Sequence, residues 1–430
     1  MAGIEPSLAG TTQTGMQRRE FDLAGYAPSE PGWWRHRPRL TGVAGHGVAA
    51  AGIAVLVLTG LADADWFDRH FLPNFFISRA RQMAIFDALR LACALAGLGL
   101  VTAGLVLTRR GEIGQVKRLF RQCALLAGLI AAAAASSELV LRTQVWQSAQ
   151  FHNSREPRRI ADPRLGWVFQ PSHRGYRAVG NRRIEFATDA NGFRTDPAAP
   201  PIQPNLPSLI FAGESIMAGD GLEWRETIPA RVGDALGLQS VDMAVNGYAN
   251  DQAHMRLAAE LPRFACPIAV VSIFIPEFLD RNLNLDRPHL DVALHRHPAQ
   301  PGWRLRALLQ TVLHYRSEAE VDQGVALTRA VLAADQALAR ERGAMPLLVV
   351  PVFVPDVPAS LALRRRVLDG AGLNYLAVPV SERLRIAGDG HPDSRGADII
   401  AAAVANRLRS QRFGPSTTFE TDRKPCGSHR

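Results

Sequence analysis

Three long apolar runs stand out in the first third of the chain. They cover residues 43–61, 88–107 and 123–141, and each is long enough for a helix that crosses the roughly 30 Å hydrocarbon core of a bilayer. Three such runs in close succession are typical of membrane spans rather than of buried core helices. We therefore predict a three-helix transmembrane region over residues 41–142, preceded by a cytoplasmic segment, residues 1–40. A cleaved signal peptide is not expected, because the first apolar run follows a mostly polar stretch.

The distribution of basic residues predicts how these helices are oriented. Arginine and lysine are concentrated before the first run and between the second and third, whereas acidic residues interleave with arginines between the first and second. By the positive-inside rule, the amino terminus and the second loop are cytoplasmic and everything after the third span is outside. Gly97, Gly99 and Gly104 in the second span suit close helix packing rather than a channel. His46 in the first span is interpreted as a side chain near the headgroups.

A different pattern begins near residue 206. Short runs of branched apolar residues alternate with helical patterns, which is typical of a parallel sheet covered by helices. The predicted strands are residues 209–212, 241–245, 268–274, 347–352 and 375–378, and the predicted helices are residues 224–236, 325–342 and 397–408. We predict an α/β domain with a doubly wound parallel sheet over residues 206–412. A connecting segment with a small β-rich appendage, residues 143–205, precedes it, and a disordered tail, residues 413–430, follows.

Composition narrows the choice of function. The chain has 430 residues, a formal net charge of +9 and 21% charged residues, which excludes a disordered or collagen-like protein. Its four cysteines form no CxxC motif and no cluster with histidine, so no metal site and no cofactor are expected. Cys266 and Cys426 would share the oxidising side and are able to pair. Basic residues flank the spans or alternate with acids, so no nucleic-acid partner is expected.

The ends of the predicted strands carry the candidate chemistry. In sheets of this kind, reactive groups gather at the carboxyl ends of the strands. Ser215 directly follows the first predicted strand, and a glycine after the second, Gly247, lets a backbone N–H approach a substrate. Asp389 lies two residues before His391 and would orient the imidazole, which Ser215 needs as a base. Taken singly, Ser215 is more often a turn hydroxyl, Asp389 a turn residue and His391 a solvated loop residue; their order at strand ends favours catalysis.

These blocks resemble those of a known family. Gly213-Glu214-Ser215, Asn246-Gly247-Tyr248 with Asp251-Gln252, and Asp389-x-His391-Pro392 are similar to the blocks of SGNH (GDSL-type) hydrolases. The leading Asp162-Pro163-x-Leu165-Gly166-Trp167 and Asn191-Gly192-Phe193-Arg194 resemble the segment before that domain in membrane-anchored bacterial members. The resemblance covers about residues 160–410. It implies a flavodoxin-like sheet, Ser215 as nucleophile, His391 as base, Asp389 as orienting acid, and the N–H groups of Ser215 and Gly247 as an oxyanion hole.

Two positions depart from the family pattern. Glu214 stands where aspartate is usual, and Pro276 stands where an asparagine normally supplies an oxyanion donor. Losing one such donor typically costs about 2.7–4 kcal/mol of transition-state stabilisation. Asn246 and Asn250 are the candidate substitutes for that donor.

The segment after Pro276 carries several charged residues whose role stays open at this point. Arg281, Arg287 and His289 are candidates to bind an anionic substrate. We favour the alternative, a solvated loop in which they pair with Asp280, Asp286 and Asp291.

These observations predict a membrane-anchored serine esterase or O-acyltransferase, in the bacterial plasma (inner) membrane with its catalytic domain facing the periplasm or exterior. Its expected partners are the lipid bilayer and an acylated cell-envelope glycan or small ester. The alternative is a catalytically impaired SGNH-like domain that binds glycan or scaffolds an envelope assembly. A transporter is disfavoured, because three spans with so few ionisable residues offer little pathway.

Overall fold

The computed structural model describes residues 38–110, 113–143, 156–300 and 302–413. Most of the predicted cytoplasmic segment, residues 144–155 of the connecting segment, and the predicted tail from residue 414 on, with Cys426, lie outside the described residues. The amino-terminal part consists of helices α1 (Pro38–Leu61), α2 (Ala64–His70), α3 (Arg79–Arg110) and α4 (Ile113–Leu141). Helices α1, α3 and α4 contain stretches long and apolar enough to cross a membrane, namely Gly42–Leu61, Arg79–Arg109 and Phe120–Leu141. The predicted three apolar helices are confirmed.

Small residues allow α1 and α3 to pack closely. A Cβ atom at Gly104 would lie 2.6 Å from the carbonyl oxygen of Gly45, and one at Gly52 would lie 2.6 Å from that of Gly97. The backbones therefore approach more closely than any larger side chain would permit. The sequence suggested that Gly99 also takes part in this packing. It does not, because it has open space around it.

The remaining residues form an α/β domain with twelve described strands. In chain order its elements are β1 (Arg159–Asp162), β2 (Gly166–Phe169), β3 (Arg174–Val179), β4 (Arg182–Thr188), β5 (Arg194–Thr195), β6 (Ser208–Ala212), α5 (Ile228–Leu236), β7 (Gln239–Asp242), α6 (Asn250–Glu260), β8 (Pro267–Ile273), α7 (Leu279–Asn282), β9 (His289–Leu290), β10 (Arg296–His297), α8 (Arg304–Leu313), α9 (Glu318–Glu341), β11 (Met345–Val354), α10 (Pro358–Leu368), β12 (Tyr375–Ser381) and α11 (Ser394–Phe413).

One eight-stranded sheet, in the order β12-β11-β8-β6-β7-β5-β4-β3, organises the domain. The five strands from β12 to β7 are parallel, whereas β5, β4 and β3 extend the sheet in antiparallel pairing. Strands β3 to β5, from the segment where a β-rich appendage was expected, are thus continuous with the main sheet. Strands β6 and β8 are neighbours although β7 separates them in sequence, so the strand order reverses at β6. Such a reversal opens a crevice at the carboxyl ends of the strands.

Helices cover both faces of the sheet. Helices α5 and α11 pack on one face, against a core that includes Leu209, Phe211 and Val271. Helices α6, α9 and α10 pack on the other face, around Ile210, Val270 and Val350. Strand β6 is buried along its whole length, as its continuous apolar sequence indicates. The α/β, doubly wound fold class predicted from the sequence is confirmed.

Helix boundaries follow local capping signals. Helix α5 begins later than predicted, because the Thr227 hydroxyl accepts a hydrogen bond from the N–H of Ala230 and starts the helix there. Helix α9 begins seven residues earlier than predicted, at Glu318, because Ser317 and Glu320 form a capping box.

The loop after α2 and the end of α4 both contact the α/β domain. The loop after α2 lies against the domain, where the N–H of Leu72 donates to the carbonyl of His314 at 3.0 Å and that of Arg316 donates to His70 at 2.8 Å. At the end of α4, the Glu138 carboxylate accepts the N–H groups at the start of α8. The loop between the first two spans therefore lies on the same side of the helices as the domain.

One disulfide bond involves the domain. Cys266, which precedes β8, is disulfide-bonded. Cys93 and Cys123, both within the spans, are free. Cys426, which the sequence offered as a possible partner, lies outside the described residues.

Candidate active site

Ser215, His391 and Asp389 lie together at the carboxyl end of the sheet. The Ser215 Oγ is 2.8 Å from His391 Nε2, and His391 Nδ1 is hydrogen-bonded to the Asp389 carboxylate. Since Asp389 accepts the proton on Nδ1, the lone pair on Nε2 faces the serine. Ser215 and His391 are both buried. Residues separated by 176 positions in sequence thus meet in the arrangement that general-base activation of a hydroxyl requires.

The turn after β6 positions the serine. A Cβ atom at Gly213 would lie 2.5 Å from the Ile273 side chain, so only glycine allows the turn to lie this close to β8. The turn lies at the point where the strand order reverses, which is where sheets of this kind bind ligands.

Glu214 also contacts the serine. Its Oε2 lies 2.7 Å from the Ser215 hydroxyl and accepts the N–H of Ile216 at 3.0 Å. The Ser215 proton therefore has two acceptors within reach, the imidazole and this carboxylate. It can be donated to only one of them at a time.

Arg177 on β3 binds the carboxylate of Asp389. Its guanidinium donates to the Asp389 carboxylate at 2.7 Å and to Asp220 at 2.6 Å. Burial alone would raise the pKa of Asp389, but the hydrogen bond with His391 and the charges of His391 and Arg177 outweigh it, so the pKa lies below its usual value. The carboxylate thus stays ionised and able to orient the imidazole.

Asp220 extends this hydrogen-bond network to Asn246, in the second sequence block. Its other carboxylate oxygen accepts the Asn246 amide at 2.7 Å. Hydrogen bonds therefore run without a break from Asn246 through Asp220, Arg177 and Asp389 to the imidazole. Asn246, a candidate oxyanion donor from the sequence, has its amide committed to this network.

The Gly247 turn is held by the strand that precedes the main sheet. Gly247 has a φ of +80°, a conformation that favours glycine. The carbonyl before it, that of Asn246, accepts the indole N–H of Trp167 at 3.0 Å, and the Tyr248 hydroxyl donates to the carbonyl of Trp167 at 2.7 Å. Among the described residues, neither the N–H of Ser215 nor that of Gly247 has an acceptor.

A buried arginine from the other leading motif supports the loop after the serine. The Arg194 guanidinium donates to the carbonyls of Ala218, Gly219 and Leu222. Burial lowers the pKa of Arg194 to about 10, and it remains charged at neutral pH. The two leading motifs thus support the two loops that carry Ser215 and Gly247.

Pro276, which the sequence predicts at the family's oxyanion position, offers no side-chain donor. Pro276 is buried at the start of a short 3-10 helix, Pro276–Phe278. Asn250, the second candidate substitute, donates its amide to the carbonyl of Ile273 at 3.1 Å.

Arg281 lies beside Glu214, the residue before the serine. Its guanidinium donates to the carbonyl of Tyr248 at 3.2 Å and lies 3.8 Å from the Glu214 carboxylate. Burial lowers the pKa of Arg281 to about 10. The guanidinium also stacks on the ring of Phe278, at 3.5 Å from its centroid.

The interpretation of Arg281, Arg287 and His289 as a solvated loop is wrong. Arg287 is buried and forms a two-pronged ion pair with Asp251, at 2.7 and 2.9 Å. His289 is buried too, with its ring bonded to the carbonyl of Arg287. The carboxylate on α6 matches the planar guanidinium, which draws the segment into the domain.

A cavity of about 600 Å³ lies beside Gly247. Its lining includes Trp167, Arg159 and Arg281, together with residues at the start of α8. Its lining is mixed in charge and carries several arginines. Among the described residues, no group of three or more histidine, cysteine or acidic side chains is placed to hold a metal ion.

Comparisons with known proteins give weak similarities only. No protein-family model and no curated protein matches the chain. An acetyl xylan esterase from the rumen bacterium Butyrivibrio proteoclasticus is 12% identical over 50% of this chain and 65% of its own, with a TM-score of 0.31. A protein described as lipolytic and of the G-D-S-L family, from Desulfitobacterium hafniense DCB-2, is 10% identical over 47% of this chain and 98% of its own, with a TM-score of 0.29.

A third solved structure is a salicylyl-acyltransferase from a tetracycline biosynthetic pathway. It is 18% identical over 49% of this chain and 57% of its own, with a TM-score of 0.27. This chain thus spans less than two thirds of the length of the acyltransferase and of the acetyl xylan esterase. With TM-scores this low, function has to be inferred from the geometry of the site.

Proposed function

We propose that this chain is a membrane-anchored serine esterase or O-acyltransferase. In this proposal the α/β domain faces the periplasm or exterior of a bacterial plasma membrane and acts on acyl esters of cell-envelope glycans. The observation that carries the proposal is the 2.8 Å distance between Ser215 Oγ and His391 Nε2, with Asp389 bound to the other ring nitrogen.

The proposed reaction uses these groups in turn. The Ser215 hydroxyl gives its proton to His391 Nε2 as its oxygen attacks the acyl carbonyl. Asp389 stabilises the imidazolium that forms. His391 then donates the proton to the departing alcohol oxygen, which leaves an acyl group on Ser215. Water or a second alcohol, deprotonated by the same imidazole, attacks that acyl group and frees the serine.

The backbone supplies the proposed oxyanion hole. The N–H groups of Ser215 and Gly247 would donate to the carbonyl oxygen as it becomes negative. With Pro276 in place of a donor, the site has one hydrogen bond fewer than the family pattern. Turnover on the order of 10²–10³ below that of a complete oxyanion hole follows from this loss.

The surroundings of the site support a polar alcohol. The cavity beside Gly247 is large enough for a sugar unit, and its arginines suit a polar or anionic group. Membrane anchoring would keep the domain beside polymers that have been exported across the bilayer. These features together favour a glycan ester as substrate.

Turnover of a small acetyl ester tests the proposal. Full-length protein in detergent micelles should release acetate from ethyl acetate or a nitrophenyl acetate. The variants Ser215→Ala and His391→Ala should fall to the background rate, whereas Ser410→Ala, a surface serine on α11, should match the wild type. Equal rates in the wild type and the Ser215→Ala variant would rule out this nucleophile.

A second candidate is a catalytically impaired domain that binds glycan or scaffolds an envelope assembly. The buried Pro276 and the shared proton of Ser215 favour it. Glycan binding that is equally strong in the wild type and in Ser215→Ala, with no turnover by the wild type, would support this alternative.

A further inference from the structure

The loop between the first two membrane helices reaches the candidate active site. The ring centroids of Phe75 and Phe76 lie 6.0 and 5.8 Å from that of the His391 imidazole. Phe76 also lies beside Gly390, where a Cβ atom would be 3.4 Å from its ring. A part of the chain that belongs to the membrane region thus forms one wall around the imidazole.

This wall is fixed in place from several sides. The Asn74 side-chain oxygen accepts the N–H groups of Phe76 at 2.6 Å and Ile77 at 2.8 Å, which closes a tight turn. The Phe75 carbonyl accepts a hydrogen bond from Arg385 at 3.0 Å. Just before the turn, Leu72 is buried in the domain core. These contacts with the turn and the domain therefore fix the position of Phe76.

The two phenylalanines differ in their surroundings. Phe75 is buried and packs on Phe278 and Phe353, so it serves as core. Phe76 keeps 55% of its surface exposed. A single exposed phenylalanine is unremarkable by itself. Its fixed place beside His391 is what distinguishes this ring.

The proposed chemistry says what would lie against that ring. His391 hands its proton to the alcohol oxygen that leaves, so the alcohol part of the ester must sit next to the imidazole. When the alcohol is a sugar, its ring presents a face of C–H groups, which packs well on an aromatic face. An exposed phenyl ring at this distance from the imidazole suits that contact.

We infer that Phe76 binds the sugar ring that carries the ester. The loop between the first two spans, residues 71–77, would then supply a substrate-binding residue to the domain. This inference rests on the proposed function. It adds that contact with the Phe76 ring favours esters of a sugar over esters of a small alcohol. The reacting bonds are unchanged; the ring acts by holding the sugar against His391.

The test compares two esters with the same acyl group. Full-length Phe76→Ala is assayed with methyl 6-O-acetylglucoside and with ethyl acetate. The KM for the sugar ester should rise roughly two- to tenfold, the range expected for an aromatic contact. The value of kcat/KM for ethyl acetate should stay within about twofold. Phe76→Trp should retain the wild-type KM, and Phe120→Ala, with a ring 76% exposed on the third span, should change neither substrate.

The outcomes separate this inference from the proposed function. An equal loss on both esters would mean that the ring only supports the imidazole, and no change on either would mean that it touches no substrate; each result overturns the inference. If the wild type turns over neither ester, the proposed function fails instead. In that event, the Kd for the sugar ester is compared between the Ser215→Ala variant and the Ser215→Ala, Phe76→Ala double variant. A higher Kd in the double variant supports the inference, and an unchanged Kd overturns it.

Discussion

Arg177 joins the two carboxylates on which the candidate site depends. It donates to Asp389, which orients the imidazole, and to Asp220, which holds Asn246. A charge-assisted hydrogen bond is worth about 1.5–3 kcal/mol. Removing this guanidinium would free the Asp389 carboxylate to rotate and would raise its pKa.

Replacing Arg177 by methionine is expected to lower kcat/KM by about ten- to hundredfold, the equivalent of that hydrogen-bond energy. The pKa of Asp389 is depressed in the fold, so its carboxylate form is lost as pH falls through that pKa. Without Arg177 this loss should occur at a higher pH, and the acid limb of the pH–rate profile should shift upward. Arg174→Met, an exposed arginine on the same strand, is the control. An unshifted profile would assign Arg177 to folding alone.

A substitution at Pro276 tests the expectation that an oxyanion donor is missing at this position. Pro276→Asn places an amide at the first residue of the 3-10 helix. If the site lacks only this donor, kcat should rise by about tenfold or more. A variant that folds normally, judged by its melting temperature, and shows no increase would mean that another group already fills this role.

Asp242 makes stability depend on pH. Burial raises its pKa from 3.8 to about 7, against the hydrogen bond from Ala244 and the charges of Arg194 and Arg256. The unfolded chain releases this proton at lower pH than the folded one, so stability should fall as pH rises between those two values.

Between pH 5 and pH 8, the melting temperature of Asp242→Asn should therefore fall by less than that of the wild type. Asp234→Asn, an exposed position on α5, should behave as the wild type does. Parallel pH curves for all three proteins would contradict the raised pKa.

Single residues differed in how well the sequence revealed them. Ser215, Gly247, Asp389 and His391 stand in short contiguous blocks at strand ends, so a local pattern points to them. Arg177 and Phe76 carry no such pattern, because their importance comes only from the fold bringing β3 and the first loop to the site. The catalytic roles assigned to the block residues stay predictions until activity is measured.

At the scale of elements, the apolar pattern predicted which strands form better than it predicted where they end. The buried strands β6, β8 and β11 were recognisable as continuous apolar runs. The predicted strand at residues 241–245 ends earlier, at Asp242, because the next residues leave the sheet for the Gly247 turn. The attachment of β3 to β5 to the main sheet was not predictable, since their alternating pattern fits an edge as well as a separate hairpin.

The crossing of α1 and α3 depends on glycine. Gly104→Leu would place side-chain atoms where the backbone of α1 lies, and should destabilise the helix pair by about 1–3 kcal/mol or more. Gly99→Leu on the same helix faces open space and is the control. Thermal unfolding in micelles measures both; equal melting temperatures would mean that the two helices do not pack as described.

At the scale of the whole molecule, the membrane region and the α/β domain form a connected unit. The first loop contributes Leu72 to the domain core and Phe75 to the wall around His391, while Glu138 caps α8. Separation of the two parts would expose this core. The contact was not predictable from the sequence, because the residues involved lie at least 166 positions apart.

This arrangement predicts accessibility to a membrane-impermeant maleimide. In intact spheroplasts, Asp65→Cys in the first loop should react beyond the level of the parent chain. Gly114→Cys, at the start of α4 on the opposite side, should react only after lysis. Reaction of Gly114→Cys in intact cells, with Asp65→Cys protected, would reverse the proposed orientation.

The most direct test of the account is labelling by a fluorophosphonate, which reacts with serines that a neighbouring base activates. Mass spectrometry of the full-length protein should find the adduct on Ser215, with strong reduction in His391→Ala and Asp389→Asn. A wild-type protein that is folded, as shown by its melting transition, but carries no adduct on Ser215 would contradict the claim that this serine, histidine and aspartate act together.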